Sequence, residues 1–281
     1  MTLAILRTIA DLRAAIGFYH RAGETMGLVP TMGALHRGHM ALVAAAKENC
    51  DRVVATIFVN PTQFGAREDL GAYPRDEAGD AAQLNSVGVD LLFAPSVEQI
   101  YPAGFSTEVK VKGLTEHLCG ISRPGHFEGV ATVVAKLLNQ VQCQRAFFGE
   151  KDFQQLQVIR RMARDLDIPT EIVGVPTVRE PDGLALSSRN RYLTAADRAI
   201  AGALPRFLRQ IAEALADGAP AAPRLDAVKR ALGAAGFSKI DYVELCDAES
   251  LQPVAAARPG ARVFAAAYVG RTRLIDNLPV L

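Results

Sequence analysis

The sequence predicts an α/β fold, a Rossmann-like doubly wound parallel sheet followed by a second, smaller α+β domain. Three observations predict it. Apolar runs rich in β-branched residues, such as Val53 to Val59, alternate with helical stretches as far as about residue 178, as in successive βαβ units. A turn rich in Gly and His joins the first clear strand to its helix. Beyond residue 178 the alternation gives way to turns, Ala-rich helices and a hairpin, which sets the domains at 1–178 and 179–281.

Thr8-Ile9-Ala10-Asp11 forms a capping box for a helix to about Ala22, with Leu12, Ile16 and Tyr19 at helical spacing. Met26 to Val29 reads as a strand, Met40 to Asn49 as a helix and Val53 to Val59 as the next strand. A helix follows over Asp76 to Val87, a short buried strand over Asp90 to Ala94 and an extended segment over Thr107 to Lys112. Phe127 to Gln142 places Val130, Val133, Val134, Leu137 and Leu138 on one helical face. Arg145 to Phe148 reads as a strand, Phe153 to Asp165 as a helix, and Thr170 to Val178 as a strand interrupted at Pro176.

In the smaller domain Pro181-Asp182-Gly183 is a turn, and Thr194 to Asp197 is a capping box before a helical stretch that Pro205 is expected to break or kink. Gly218 to Pro223 reads as a connector and Leu225 to Ala235 as a helix. Ile240 to Cys246, Val263 to Val269 and Arg273 to Ile275 read as strands, the last two a hairpin around Gly270. There is no internal repeat.

With 281 residues, 49% of them hydrophobic, the chain can bury substantial cores. Its 31 basic and 30 acidic residues are balanced and not blocked, which argues against a nucleic-acid partner. No apolar run approaches the roughly 18 residues of a membrane span, and the N-terminus shows no leader pattern. Cys50, Cys119, Cys143 and Cys246 are scattered as in a reducing compartment. A cytoplasmic chain without disulfides is the expectation.

Residues 30 to 39 read Pro-Thr-Met-Gly-Ala-Leu-His-Arg-Gly-His, where a βαβ unit turns from strand to helix. Helix N-termini carry unpaired N–H groups and a partial positive charge, so anions bind there. Gly33 and Gly38 allow close approach, and His36 and His39, three residues apart, share a face and can donate to oxygens that gain charge in phosphoryl or nucleotidyl transfer. A zinc site would need a third ligand, and no cysteine spacing provides one. A polar loop with two solvated histidines is the bland alternative.

Two further motifs fall at the same edge of the sheet, and others lie beyond it. Asn60-Pro61-Thr62-Gln63-Phe64 puts two amides after the second strand, suited to a hydroxyl or carboxylate, or else simply a Pro-containing turn. Gly149-Glu150-Lys151-Asp152 follows another strand: Lys151 can neutralise phosphate, Glu150 or Asp152 can hold Mg²⁺ or orient the lysine, and Gln155 lies one turn on. A solvated helix start is its alternative. Ser187-Ser188-Arg189-Asn190, at the junction between the domains, combines hydroxyls with a guanidinium fork, a phosphate-gripping set or a polar linker. Arg123-Pro124-Gly125-His126-Phe127 precedes a helix and either lines a pocket or caps that helix, while Tyr73-Pro74-Arg75 reads as loop.

Taken in this order and spacing, the motifs resemble those of the pantoate-β-alanine ligase (pantothenate synthetase) family over nearly the whole chain. His-x-Gly-His alone fits any member of the wider nucleotidylyltransferase superfamily, so an enzyme that transfers a nucleotidyl group to another acceptor is the alternative; ligation releases AMP, whereas transfer keeps the nucleotide in the product. The resemblance implies ATP-dependent ligation of pantoate and β-alanine to pantothenate through a pantoyl adenylate, releasing pyrophosphate and AMP. It implies Mg²⁺ that accompanies the triphosphate without dedicated protein ligands, a homodimer, and a small domain acting as a lid. Carried over to this chain, His36, His39, Lys151, Ser187, Ser188 and Arg189 would be catalytic. Met32, Gly33, Gly38, Gly149 and Asp152 would join them around ATP, and Pro30, Met32, Asn60, Gln63 and Gln155 would hold pantoate.

Overall fold

The structure, a computed structural model, describes residues 3–66, 68–218 and 220–280. Two compact units emerge. The first takes the chain up to Val111 with Arg123–Glu150 and Gln155–Pro176, and the second takes Lys112–Ser122, Lys151–Gln154 and the chain from Thr177 onward.

Six strands build the first unit: β1 (Ala4–Leu6), β2 (Met26–Thr31), β3 (Arg52–Ile57), β4 (Leu91–Phe93), β5 (Arg145–Gly149) and β6 (Glu171–Val175). They lie in the order β1-β4-β3-β2-β5-β6, and every pair is parallel. Helices α1 (Ile9–Arg21), α2 (Arg37–Asn49), α3 (Glu77–Ser86), α4 (Val97–Ile100), α6 (His126–Val141) and most of α7 (Phe153–Asp165) accompany them. One apolar core joins Leu42, Val43 and Ala46 of α2 and Leu84 of α3 to Val29, Val53, Ala55, Leu92 and Phe147 of the sheet. The alternate residues, Leu28, Val54 and Ala146, are equally buried and face the other side, as the doubly wound reading expects. From β2 the chain winds outward through β3, whereas β5 leads to β6 in the opposite direction. The winding therefore reverses between β2 and β5, which is where such sheets open a crevice at their carboxyl ends. At the opposite end Arg52 clamps the strand starts, 2.8 Å from Glu24 and 2.9 Å from Asp90.

The second unit is an antiparallel sheet of β7 (Lys239–Asp247), β8 (Ala261–Val269) and β9 (Thr272–Pro279), in that order. Helices α9 (Ala203–Leu215) and α10 (Ala222–Ala234) bury Leu204, Leu208, Ile211 and Leu232 against Val243, Val263 and Leu274. A distant segment completes it through the short helix α5 (Cys119–Ser122). The Cys119 Sγ lies 3.0 Å from the Tyr242 hydroxyl, and Arg273 donates to that sulfur at 3.5 Å and to Ser122 Oγ at 3.0 Å. Arg273 is itself held by Asp241 at 2.8 Å.

Several boundaries differ from those expected, each for a local reason. β2 continues through Pro30 to Thr31, because pairing with β5 stops at Leu28 and the missing proline N–H interrupts no ladder on that side. α2 starts at Arg37 rather than Met40, since His36 caps it. β3 ends at Ile57 rather than Val59, and β6 stops at Val175, ahead of Pro176. Pro205 breaks nothing: α8 (Ala195–Ala201) and α9 separate at Gly202, and Pro205 sits in the first turn of α9, where its missing N–H costs no helical bond. By the same logic Pro223 lies inside the first turn of α10 instead of in a connector. Thr107 to Lys112 joins no ladder and ends in a turn, and β9 runs far beyond Ile275.

Candidate active site

The turn after β2 is built from the backbone outward. Thr31 Oγ1 donates to the Thr56 carbonyl at 2.6 Å and accepts from the Gly33 N–H at 3.1 Å. Gly33 and Ala34 then take positive φ, +81° and +51°, and a side chain at Gly33 would place its Cβ 3.0 Å from Asp80. That carboxylate, on α3 and only 2% exposed, accepts from Ala34 N at 2.7 Å and Leu35 N at 2.8 Å. Asp80 thereby holds Ala34 in a conformation an alanine seldom adopts. Sequence reading passed it over, because an Asp in the first turn of a helix looks like ordinary complementation of the helix dipole.

His36 is the N-cap of α2, and two histidines close a capping box. His36 Nδ1 accepts from Gly38 N at 3.1 Å, and His39 Nδ1 accepts from His36 N at 3.3 Å. A backbone N–H can only donate, so the hydrogen of each neutral ring resides on Nε2. The rings stack with centroids 4.1 Å apart and a 34° tilt. The backbone N–H groups of His36 and Gly38 are thus spent inside the cap, which corrects the expectation that the first turn keeps its amides for a ligand. The donor end of each neutral imidazole is then Nε2. No acidic residue occupies the first turn of α2 itself; the Asp80 carboxylate lies just ahead of it, on the amides of Ala34 and Leu35.

After β3, Pro61–Gln63 forms a single 3₁₀ turn capped by Asn60. Asn60 is 1% exposed and its amide is engaged on both ends. Its oxygen accepts from Thr62 N at 3.3 Å and from the Tyr101 hydroxyl at 2.8 Å, and its nitrogen donates to Gly129 O at 3.1 Å and Gln63 Oε1 at 3.0 Å. Both ends of the Asn60 amide, one of the expected pantoate residues, thus meet protein groups, Gln63 among them. Gln63 Nε2 lies 3.2 Å from the Met32 sulfur, which brings the two expected pantoate residues together. α6 makes this approach possible: a Cβ at Gly129 would fall 2.5 Å from Thr62 O and 2.7 Å from Gln63 N. His126, at the start of α6, lies 2.9 Å from the Gln63 carbonyl.

β5 ends at Gly149 and runs directly into a 3₁₀ turn, Glu150–Asp152. Lys151 Nζ stands 3.5 Å from the Asp152 carboxylate. In the second unit Asn277 of β9 donates to the Lys151 carbonyl at 3.0 Å while its own oxygen accepts from Arg262. Asn277 is 3% exposed, and a buried amide within a strand is the signal that would have found it. Of the two glutamines that follow, Gln154 is structural, accepting from Cys119 N at 2.9 Å and donating to Leu114 and His117 carbonyls at 2.9 and 2.8 Å. Gln155 is half-buried and belongs to the first unit.

Ser187 caps a 3₁₀ turn over Ser188–Tyr192, accepting from Arg189 N at 3.3 Å. Asn190 secures that turn to Ala185 O at 3.1 Å. The preceding loop is anchored by Arg179, which forks onto buried Asp276 at 2.7 and 2.9 Å. Ser188 is buried, so the trio is a folded turn and not a plain polar linker. Pro30, Met32, Gly33, His36, Gly38, His39, Asn60, Gln63, Gly149 and Gln155 therefore lie in the first unit, and Lys151, Asp152, Ser187, Ser188 and Arg189 in the second.

The set is rich in hydrogen-bond donors and cations, as suits stabilising anionic oxygens. Burial pushes the Cys143 and Cys246 thiols up to about 12, and burial also raises that of Cys50, so these three are poor nucleophiles at neutral pH. Among the described residues no group of three His, Cys, Asp or Glu side chains could hold a metal ion, and no helix is long and apolar enough to cross a membrane.

A model of the pantoate-β-alanine ligase family matches residues 4–279. The pantothenate synthetase of Dinoroseobacter shibae is 58% identical over 98% of this chain and 99% of its own, and that of Sphingopyxis alaskensis 56% identical over 99% and 100%. Among solved structures, the pantothenate synthetase of Thermus thermophilus superposes with a TM-score of 0.93 at 52% identity, covering 99% of each chain. The Francisella tularensis pantoate-β-alanine ligase, solved with "Beta-gamma ATP and Beta-alanine", gives 0.85 at 37% identity over 99% of this chain and 97% of that one.

Proposed function

The chain belongs to the pantoate-β-alanine ligase family, and from that premise we propose how its residues divide the work of the reaction. It is an ATP-dependent ligase that forms pantothenate from pantoate and β-alanine. In our reading the pantoate carboxylate attacks the α-phosphorus of ATP, giving pantoyl adenylate and pyrophosphate. The β-alanine amine then attacks the acyl carbon, AMP leaves, and the amine gives up a proton.

The observation that carries this reading is the double-histidine cap. Two Nε2–H donors, fixed by the backbone at a helix N-terminus whose first turn carries no acidic residue, suit the oxygens that gain charge as the α-phosphorus is attacked. Lys151 and the turn of Ser187, Ser188 and Arg189 add positive charge and donors, with Gly149 and Asp152 beside the lysine. Gln63, positioned by Asn60, and Gln155 hold pantoate beside Pro30 and Met32. With no thiol activated among Cys50, Cys143 and Cys246, catalysis rests on positioning and electrostatics.

Magnesium fits as an ion carried by the triphosphate, since the described residues provide no three-ligand cage; there it would screen the phosphate charge, with Asp152 the nearby carboxylate for its water shell. The free cysteines suit a reducing cytoplasm. Family likeness supports a homodimer and a lid role for residues 179–281.

The test is mass detection of an acyl adenylate from ATP, Mg²⁺ and pantoate, followed by β-alanine. Adenylate converted to pantothenate and AMP is expected. Pantothenate formed with ADP, or with no acyl adenylate in single-turnover samples, would overturn the two-step route.

A further inference from the structure

Gln63 has no choice about which end of its amide it shows. Asn60 Oδ1 faces Thr62 N, which can only donate, and Asn60 Nδ2 faces Gly129 O, which can only accept. Asn60 is thereby oriented without ambiguity, and it is the Nδ2 that meets the neighbouring glutamine at 3.0 Å. Gln63 Oε1 is turned to Asn60 there, and its Nε2 is the end directed to Met32.

The backbone of Gln63 is held by a second chain of one-way contacts. Arg123 forks onto Glu68 at 2.9 and 2.5 Å and reaches His126 Nε2 at 2.9 Å through Nη1. A guanidinium cannot accept, so that ring nitrogen must. The hydrogen of His126 therefore sits on Nδ1, which donates to the Gln63 carbonyl at 2.9 Å, with Arg123 Nη2 at 3.4 Å from the same oxygen. His126 is 8% exposed. Its tautomer is the reverse of that in His36 and His39.

We propose that His126 is a positioning residue which, with Arg123, locks the 3₁₀ turn so that Gln63 turns its Nε2 donor end to substrate. The substrate atom opposite is thus an acceptor, a hydroxyl lone pair or a carboxylate oxygen. An analogue presenting only an N–H or C–H at that point is rejected because the amide would lose its partner. This rests on the reading of Gln63 as a pantoate contact.

Nitrogen-15 NMR of the intact protein gives the first test, the His126 signals being identified by their loss in His126→Asn. A neutral ring protonated at Nδ1 is expected, opposite to His36 and His39; a ring protonated at Nε2, or on both nitrogens, at neutral pH overturns the proposal whether or not any variant folds. Kinetics gives the second. His126→Ala should raise the pantoate KM about tenfold, the scale of one lost buried hydrogen bond, with the ATP KM unchanged. His126→Asn, whose Nδ2 can replace Nδ1–H, should restore most of it. Equal rises for pantoate and ATP, or an Asn variant as impaired as Ala, would reduce His126 to a packing role. Should Gln63→Ala leave the pantoate KM unchanged, the assignment of Gln63 itself fails, while the His126 tautomer still stands or falls on the NMR.

Discussion

Two turns at the carboxyl edge of the same sheet, one after β2 and one after β3, both present donors but are held by different means. In the first, the rings of His36 and His39 are oriented by bonds that span two and three residues. In the second, the orientation of Gln63 depends on Gly129, His126 and Arg123, which lie 60 to 66 residues away in the chain. A local cap forms with its helix; a distant clamp forms only when α6 has packed. The difference teaches that adjacent parts of one site can have separate structural supports, and so can be damaged separately.

Substitutions can break that contrast or sharpen it. The largest effect is expected from His39→Asn, whose Oδ1 can still accept from His36 N while the Nε2 donor disappears. Its kcat should fall about 10²- to 10³-fold, the loss of one preorganised donor, with the melting temperature nearly kept; equal losses in both would show that cap and donor are one function. Gly129→Ala should strike only the second turn. Its Cβ would sit 2.5 to 2.7 Å from the backbone of Thr62 and Gln63, so about 2 kcal/mol of stability should be lost and the pantoate KM raised while ATP binding, followed by calorimetry, stays level. Asp80→Asn tests a long-range support of the histidine turn. It replaces one of two acceptor oxygens with a donor, which should cost about 2 kcal/mol in chemical denaturation and raise the KM for ATP more than for pantoate. Thr8→Ala, a cap remote from both turns with Thr8 Oγ1 3.1 Å from Asp11 N, should cost about 1 kcal/mol and leave all kinetic constants unchanged.

The same division explains what the sequence disclosed. The histidine turn, the caps at Thr8 and Thr194 and the alternating strands follow from contacts a few residues long, and they are legible in a single chain. The role of Asn60 is not, since its burial depends on Tyr101 and Gly129, and nothing near residue 60 distinguishes an amide aimed at substrate from one aimed at a neighbour. Asp80 and Asn277 escaped for the same reason. Their partners, Ala34 and Leu35 in one case and Lys151 in the other, are far off in sequence. The misjudged Pro205 and Pro223 have another cause: a proline's effect depends on whether it falls in the first turn or in the middle of a helix, and boundaries are what periodicity fixes least well.

The segment that carries Cys119 has a consequence for biosynthesis. It belongs to a unit whose other pieces all come later in the chain, most of them from Thr177 onward, and the contact of Cys119 with Arg273 spans 154 residues. At about 5 to 20 residues per second, a ribosome needs roughly 8 to 30 s to synthesise that interval. For most of it Cys119 lacks both Tyr242 and Arg273, and its thiol is open to passing oxidants and misplaced partners. A nascent chain stalled before β7 should therefore be labelled by a thiol reagent at Cys119, and a completed chain should be protected there.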